Sequence, residues 1–434
     1  MIPPSPIVPS TVQPGNHIHV FWKGEWVQGI VLPSPEGETD FLHLKLTNGY
    51  NTGLAWKEIT DMKILPTPAP VIKEKIPIPP VPIDKPILSL IAAGGTIGSK
   101  VDYKTQGVSA LMTPEELVAL IPEIGSFATF GTIISPFSKL SENINPSDWI
   151  KLAQMCHAEL IKPEVRGVLV THGTDTLHYT AAALSFMLRD LTKPVVLVGS
   201  QRSSDRGSSD APSNLICASR VALGEAAEVG ICMHATTSDD YCFFTRGTRV
   251  RKMHSSRRDA FRPINDVPLA KVFMDGKVEW IGNFQRRDNT KTPILDAVFD
   301  TNVVLIKFVP GISPDTMDYH LSRGVKGFLI EGTGLGHVSE EWIPAIQRAT
   351  DAGVPVFVTT QTLYGRVNLN VYSNGRMMQK AGAVGLEDML PEVAYVKLGW
   401  VLGHTHEMEK VREMMHTDYA GETSSFSRVD TFLL

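Results

Sequence analysis

Cysteine is scarce in this chain, with four in 434 residues at Cys156, Cys217, Cys232 and Cys242. No two stand in C-x-x-C spacing, so buried free thiols in a reducing cytosol are expected rather than a disulfide framework. A positive charge excess is missing too. Lys and Arg number 41 against 46 Asp and Glu, a net charge of −5, which excludes bulk attraction to nucleic acid and leaves any RNA contact local or made by a partner. No apolar run has the length of a transmembrane span, so no membrane contact is expected. Met1-Ile2-Pro3-Pro4-Ser5-Pro6 has neither a basic region nor an apolar core, so no signal peptide is expected and the location is expected to be cytoplasmic. There is no P-loop, which excludes one nucleotide-binding fold. There is also no internal repeat of solenoid type. His404-Thr405-His406-Glu407 tempts a metal reading, but no third ligand follows at a recognised spacing. Two histidines at a helix start, and no metal, are expected.

What is present is an ordinary globular composition, 43% hydrophobic and 20% charged, in a chain long enough for two or three domains. Residues 1–65 form the first. His17–Trp22, Trp26–Leu32 and Phe41–Leu46 alternate apolar and polar side chains between turn signals, and further strands are expected over Thr52–Trp56 and Ile59–Ile64. A small all-β barrel of SH3 or Tudor type is the economical architecture, because closure removes open edges. Of its tryptophans (Trp22, Trp26, Trp56), most are expected in the small core, although they also have the makings of a binding face. Residues 66–85 are so rich in proline that helix and central strand are excluded, leaving an extended, semi-rigid linker. It is expected to lie as a tether across the surface of the next domain. From Pro86 strands and helices alternate, the signature of an α/β domain over 86–295 and a smaller one over 296–434, which closes in helices from about Glu387 to Met415.

Two stretches carry chemistry. Gly167-Val168-Leu169-Val170 is a short buried strand, and Leu177, Ala181, Leu184 and Leu188 recur at helical spacing. The turn between them, Thr171-His172-Gly173-Thr174-Asp175-Thr176, therefore sets a hydroxyl and a carboxylate between a strand's carboxyl end and a helix's amino end, where α/β sheets bind ligands. Ordinary helix capping is the bland alternative for Thr174 and Asp175. The strand Pro86–Ile91 runs likewise into Ala92-Ala93-Gly94-Gly95-Thr96-Ile97-Gly98-Ser99, which presents Thr96 beside a double glycine. Its spacing fits neither G-x-G-x-x-G nor G-x-x-x-x-G-K-[ST]. His172, two residues before Thr174, is the obvious base for a Ser-type site, though a structural histidine is at least as plain a reading.

Together the G-G-T-I and H-G-T-D-T loops resemble the two signatures of the L-asparaginase/glutaminase family. The resemblance covers Pro86 to roughly Leu402 and implies a two-domain α/β amidohydrolase that cleaves a carboxamide through a threonine hydroxyl. It implies catalytic roles for Thr96, Thr174, Asp175 and a lysine, which falls at Lys252 in Thr245–His254. It also implies substrate contacts from Ser141 and Glu142 in Leu140–Pro146, from Tyr103 in a lid, and from Gly95 and Gly173. The arginines around Lys252 (Arg246, Arg249, Arg251, Arg257, Arg258) are expected on a solvated face, where they also have the charge to recruit an acidic partner.

A barrel joined to such a domain resembles the ammonia-supplying subunits of archaeal tRNA-dependent amidotransferases. That resemblance implies glutamine hydrolysis, with ammonia passed to an E-type amidotransferase subunit that binds tRNA and uses ATP and Mg. It also implies no cofactor in this chain and a homodimer within a heterotetramer. A free-standing L-asparaginase/glutaminase is the alternative, and a non-enzymatic assembly module on a dead scaffold is a third. Co-purification separates the first two, and an ammonia assay removes the third.

Overall fold

The computed structural model describes residues 12–34, 38–46, 51–66, 85–95, 100–101, 108–109, 118, 121–202 and 209–432. They fall into two units. One holds the amino-terminal strands with a two-stranded ribbon, Lys100–Val101 against Val108–Ser109, and the other holds the remainder.

In the first unit the strands His17–Trp22, Glu25–Val31, Phe41–Leu46, Asn51–Ala55 and Ile59–Leu65 make one antiparallel sheet, in the spatial order fourth, third, second, first, fifth. Alternation decides its inside: Ile18, Val20, Leu42, Leu44 and Leu54 are buried. The tryptophans depart from expectation. Trp22 and Trp56 only edge this core, and Trp26 is 40% exposed on the outer face, beside His19 and Phe21 at ring-centroid distances of 4.6 and 5.3 Å. The register explains it: Trp26 pairs with Phe21, and both sit out of phase with Ile18 and Val20. Of the proline-rich linker only Pro66 and Lys85 are described, so the expected tether lies outside the described residues.

The second unit is built on an eight-stranded sheet. Five parallel strands stand in the order Thr129–Ile134, Ile87–Ala92, Val165–Thr171, Val195–Val198, Val229–His234. Numbered along the chain this is 2-1-3-4-5, so the connections change direction between Ile87–Ala92 and Val165–Thr171. In open sheets of this kind the crevice at that switch, beyond the strands' carboxyl ends, is where ligands bind. Three short antiparallel strands, Cys242–Arg246, Ala270–Val272 and Val278–Trp280, extend the sheet. The four cysteines are buried and free, and burial pushes the Cys156 thiol up.

A smaller parallel sheet follows, Val303–Lys307, Gly327–Gly332, Val356–Thr360 and Ala383–Gly385. Its closing helices are Pro391–His404 and Met408–His416. The first starts later than expected, because Glu387 is left-handed (φ 51°) and Pro391 stands at the first helical position, where its missing N–H costs nothing. His404 ends that helix instead of starting one, 3.0 Å from Asp296. Among the described residues no cluster of His, Cys, Asp or Glu has the makings of a metal site, and no helix is long and apolar enough to cross a membrane.

Buried ion pairs fasten the chain's last turns. Lys397, fully buried, donates to Glu422 at 2.6 Å and to the carbonyls of Met415 and Thr417 at 2.9 and 2.6 Å. Glu422 in turn accepts from the Ala420 amide at 2.7 Å. Removing one member strands the other charge without water, which costs about 3–5 kcal/mol. Glu422→Ala is therefore expected to lower the unfolding free energy by that amount in chemical denaturation. A loss below about 1 kcal/mol, the range of an exposed pair, would count against this fastening.

Candidate active site

The site is assembled where the strands of the switch point end. Ile87–Ala92 and Val165–Thr171 run parallel with Ala92 opposite Thr171, so their outgoing turns lie side by side. Gly95 has φ 87°, and a Cβ on it would stand 2.2 Å from the Gly173 nitrogen. A Cβ on Gly173 would stand 2.8 Å from the Ser141 Cβ, and one on Gly199 would meet the Thr174 methyl at 2.9 Å. Glycine is required at these three positions because a side chain there would run into the neighbouring turn.

Thr174 and Asp175 do not cap the helix that follows. Leu177–Met187 has Thr176 at its cap position, and that hydroxyl donates to the Ser141 carbonyl at 2.7 Å. The other two side chains turn towards Lys252, which ends the strand Val250–Lys252. Its Nζ donates to Thr174 Oγ1 at 2.8 Å and to Asp175 Oδ1 at 2.6 Å. The lysine side chain is 8% exposed and the aspartate 68%, so an enclosed amine meets an open carboxylate. Hydroxyl, amine and carboxylate in line have the composition of a proton relay.

His172 takes no part in it. The imidazole is fully buried, with Nδ1 2.7 Å from the Gly173 carbonyl and Nε2 2.8 Å from Thr180 Oγ1. The Gly173 carbonyl only accepts, so Nδ1 carries the ring proton, and Nε2 accepts from the Thr180 hydroxyl, which itself accepts from the Trp149 indole at 3.1 Å. Burial lowers the pKa of His172 to about 4. His178, on the next helix, is lowered to about 3 by burial first and then by Arg251 and Lys252. Both are depressed, so above pH 6.5, their ordinary value, they cost no stability. Below it the unfolded chain takes up protons first. Stability is expected to fall towards pH 4 at up to about 2.7 kcal/mol per pH unit, two protons' worth. Denaturation midpoints across that window check it: His178→Leu should flatten the slope by about one proton, and an unchanged slope would overturn the assignment.

Of the five arginines around Lys252 only Arg257, 53% exposed, stands on a solvated face as expected. Arg249 is buried against Asp388 at 3.0 Å, Arg246 pairs with Glu228 at 2.9 Å, and Arg251 pairs with Glu392 at 2.8 Å. Arg257 pairs with Asp259 at 2.8 Å and Arg258 with Asp239 at 3.2 Å. Burial holds the Glu392 carboxyl above its usual range even against Arg251. The run thus ties the Lys252 strand to the smaller sheet's helix and leaves little charge to recruit an acidic partner.

Ser141 opens the short turn Ser141–Asn143 and is buried against Gly173, while Glu142 beside it is exposed. Thr96 and Tyr103 lie outside the described residues. One residue was assigned no role on sequence grounds. Gln201, in the turn after Val195–Val198, sets its Oε1 3.5 Å from Thr174 Oγ1. Only its place in a strand-end turn, one strand over from Thr174, signalled it. A cavity of about 510 Å³ lies elsewhere, beside Val229, Arg246 and Tyr419, and shares none of these residues.

The fold and this pairing define the class. Residues 87–286 match the family model "Asparaginase, N-terminal" and residues 302–415 match "Glutaminase/Asparaginase C-terminal domain". Among solved structures, the thermostable L-asparaginase from Thermococcus kodakarensis superposes with a TM-score of 0.70 at 32% identity, covering 78% of this chain and 100% of that one. L-asparaginase I from Vibrio cholerae gives 0.68 at 28% identity, covering 78% and 99%. Residues 12–65, which the asparaginase models leave out, match "GatD N-terminal domain". Proteins named as the D-type subunit of glutamyl-tRNA(Gln) amidotransferase are similar along nearly the whole chain. The one from Thermococcus kodakarensis is 51% identical (94% of this chain, 92% of that one), and the one from Pyrococcus furiosus is 47% identical (98% of each). The chain belongs to this family, the D-type subunits of glutamyl-tRNA(Gln) amidotransferase.

Proposed function

We propose that this chain hydrolyses glutamine to glutamate and ammonia, and that the ammonia goes to a partner subunit for the ATP-dependent conversion of Glu-tRNA(Gln) to Gln-tRNA(Gln). The observation that carries the chemistry is Lys252 joined to both Thr174 and Asp175 at the sheet's switch point. The likeness to amidotransferase subunits, which runs through the amino-terminal strands as well, favours this function over that of a free-standing asparaginase.

In this reaction Thr96 is the nucleophile. Its oxygen bonds to the side-chain carbonyl carbon of glutamine, the carbon–nitrogen bond breaks, and the leaving nitrogen takes a proton to depart as ammonia. Water then adds to the acyl ester, returning the hydroxyl of Thr96 and releasing glutamate. Thr174, Asp175 and Lys252 move the protons, with Lys252 accepting one in the attack and returning it through Thr174. Glu142 offers a counter-charge to the substrate's ammonium and Ser141 a hydroxyl, and Tyr103 is a further substrate contact. Gly95 and Gly173 let the backbone come close. No cofactor belongs to this chain. ATP and Mg serve the E-type partner, tRNA reaches the assembly through it, and the chain pairs with a second copy inside a heterotetramer.

A glutaminase that feeds a synthetic site wastes glutamine if always on, so turnover depends on the complex. The test is ammonia release from glutamine and from asparagine by the chain alone, with the E-type partner, and with that partner and glutamyl-tRNA. A rise in kcat for glutamine on completing the complex is expected. Equal turnover in all three would leave a free-standing amidohydrolase.

A further inference from the structure

Gln201 stands at the candidate site with one end of its carboxamide in use and the other idle. Oε1 lies 3.5 Å from Thr174 Oγ1, while Nε2 is buried and has no hydrogen-bond partner among the described residues. The backbone beneath it is rigid. Both oxygens of Asp210, a fully buried carboxylate, accept from the Gln201 amide at 3.1 and 3.0 Å, and Oδ1 also accepts from the Arg202 amide at 3.0 Å. Asp210 is itself held by Asn214 Nδ2 at 3.0 Å. The side chain is therefore aimed by a helix start and a strand end, not by a loose loop.

The polarity of the hydrogen bonds follows from the groups. Once Lys252 has accepted the attack proton it is an ammonium and only donates, so Thr174 Oγ1 then accepts from it and must send its own proton elsewhere. Among the described residues the acceptor in reach is Gln201 Oε1. At 3.5 Å the contact is longer than an ordinary O–H···O bond, so it directs the proton without holding it strongly. The idle amide leaves two N–H donors buried without an acceptor, an arrangement that costs free energy unless a ligand supplies one.

We propose that Gln201 is a positioning residue of the amidohydrolase site: its carbonyl oxygen aims the Thr174 hydroxyl proton, and its amide nitrogen receives an acceptor oxygen from the bound carboxamide substrate. This rests on the glutaminase reading given above. No covalent step involves Gln201. When the leaving nitrogen departs, the proton on Thr174 swings from Oε1 to it, and Lys252 replaces that proton.

Two substitutions separate the ends of the side chain, in the chain assembled with its partner subunit and glutamyl-tRNA. Gln201→Glu keeps an acceptor for Thr174 and removes the donor. It should hold kcat for ammonia release within about three-fold while raising KM about ten-fold, the effect of one hydrogen bond. Gln201→Met removes both, so kcat should fall about ten-fold as well. Because Asp210 holds the backbone and not the side chain, Gln201→Met should keep the wild-type thermal midpoint, and a merely structural residue would not split kcat from KM in this way. Equal kcat in the two variants, or wild-type kinetics in Gln201→Met, would overturn the proposal while the wild-type assembly still releases ammonia. A wild-type assembly that hydrolyses neither glutamine nor asparagine would instead overturn the glutaminase reading, and this inference with it.

Discussion

Thr174→Val is expected to abolish ammonia release while leaving the fold in place. Valine keeps the branched shape and the methyl that packs on Gly199, and loses only the oxygen between Lys252 and Gln201. The stability cost is one net hydrogen bond, about 1 kcal/mol, because Lys252 keeps Asp175. The catalytic cost is the proton path itself, and a positioned acid–base group contributes about 10²–10⁴-fold to rate. The loss should appear in kcat with KM little changed, since the hydroxyl serves the transition state more than the bound ground state. Near-normal hydrolysis by a folded variant would remove Thr174 from the relay.

Lys252→Arg should be as damaging for a different reason. Arginine keeps the positive charge and its pairing with Asp175, so a role confined to electrostatics would survive. It stays protonated at every accessible pH and cannot accept a proton from a threonine hydroxyl. Activity is expected to be lost across the whole pH range, with the thermal midpoint close to wild type. Recovery of turnover at high pH would show that charge alone was needed.

Much of this architecture was legible because its strands are short, apolar and bounded by turn signals. The parallel strands ending at Ala92, Thr171 and Val198 are almost wholly buried, and burial on both faces writes a continuous apolar run into the chain. The residues of the two glycine-rich turns pointed at Thr174 and Asp175 for the same reason, since they stand where such strands stop. The rest depended on long-range pairing. Cys242–Arg246, Ala270–Val272 and Val278–Trp280 are too short to show a period, and they are strands only because they pair in sequence across one sheet edge. The arginines near Lys252 looked solvated because their partners, Glu228, Asp388 and Glu392, lie far along the chain. Trp26 looked like core because hydrophobicity does not encode which face of a strand a register turns outward. His172 reads as base or scaffold from sequence alone, and the Gly173 carbonyl with Thr180 fixes its tautomer as scaffold.

The central claim is that nitrogen taken from glutamine at Thr174 and Lys252 ends in the amide of tRNA-bound glutamine. The direct measurement follows amide-¹⁵N-glutamine in the assembled complex with ATP, Mg and glutamyl-tRNA(Gln), reading the label in the aminoacyl group by mass spectrometry. Label should appear with the wild-type chain and vanish with Thr174→Val, and the same variant should still form unlabelled glutaminyl-tRNA when ammonium chloride is supplied. Label transfer that persists in Thr174→Val, or amidation by the wild-type complex that never draws its nitrogen from glutamine, would contradict the account.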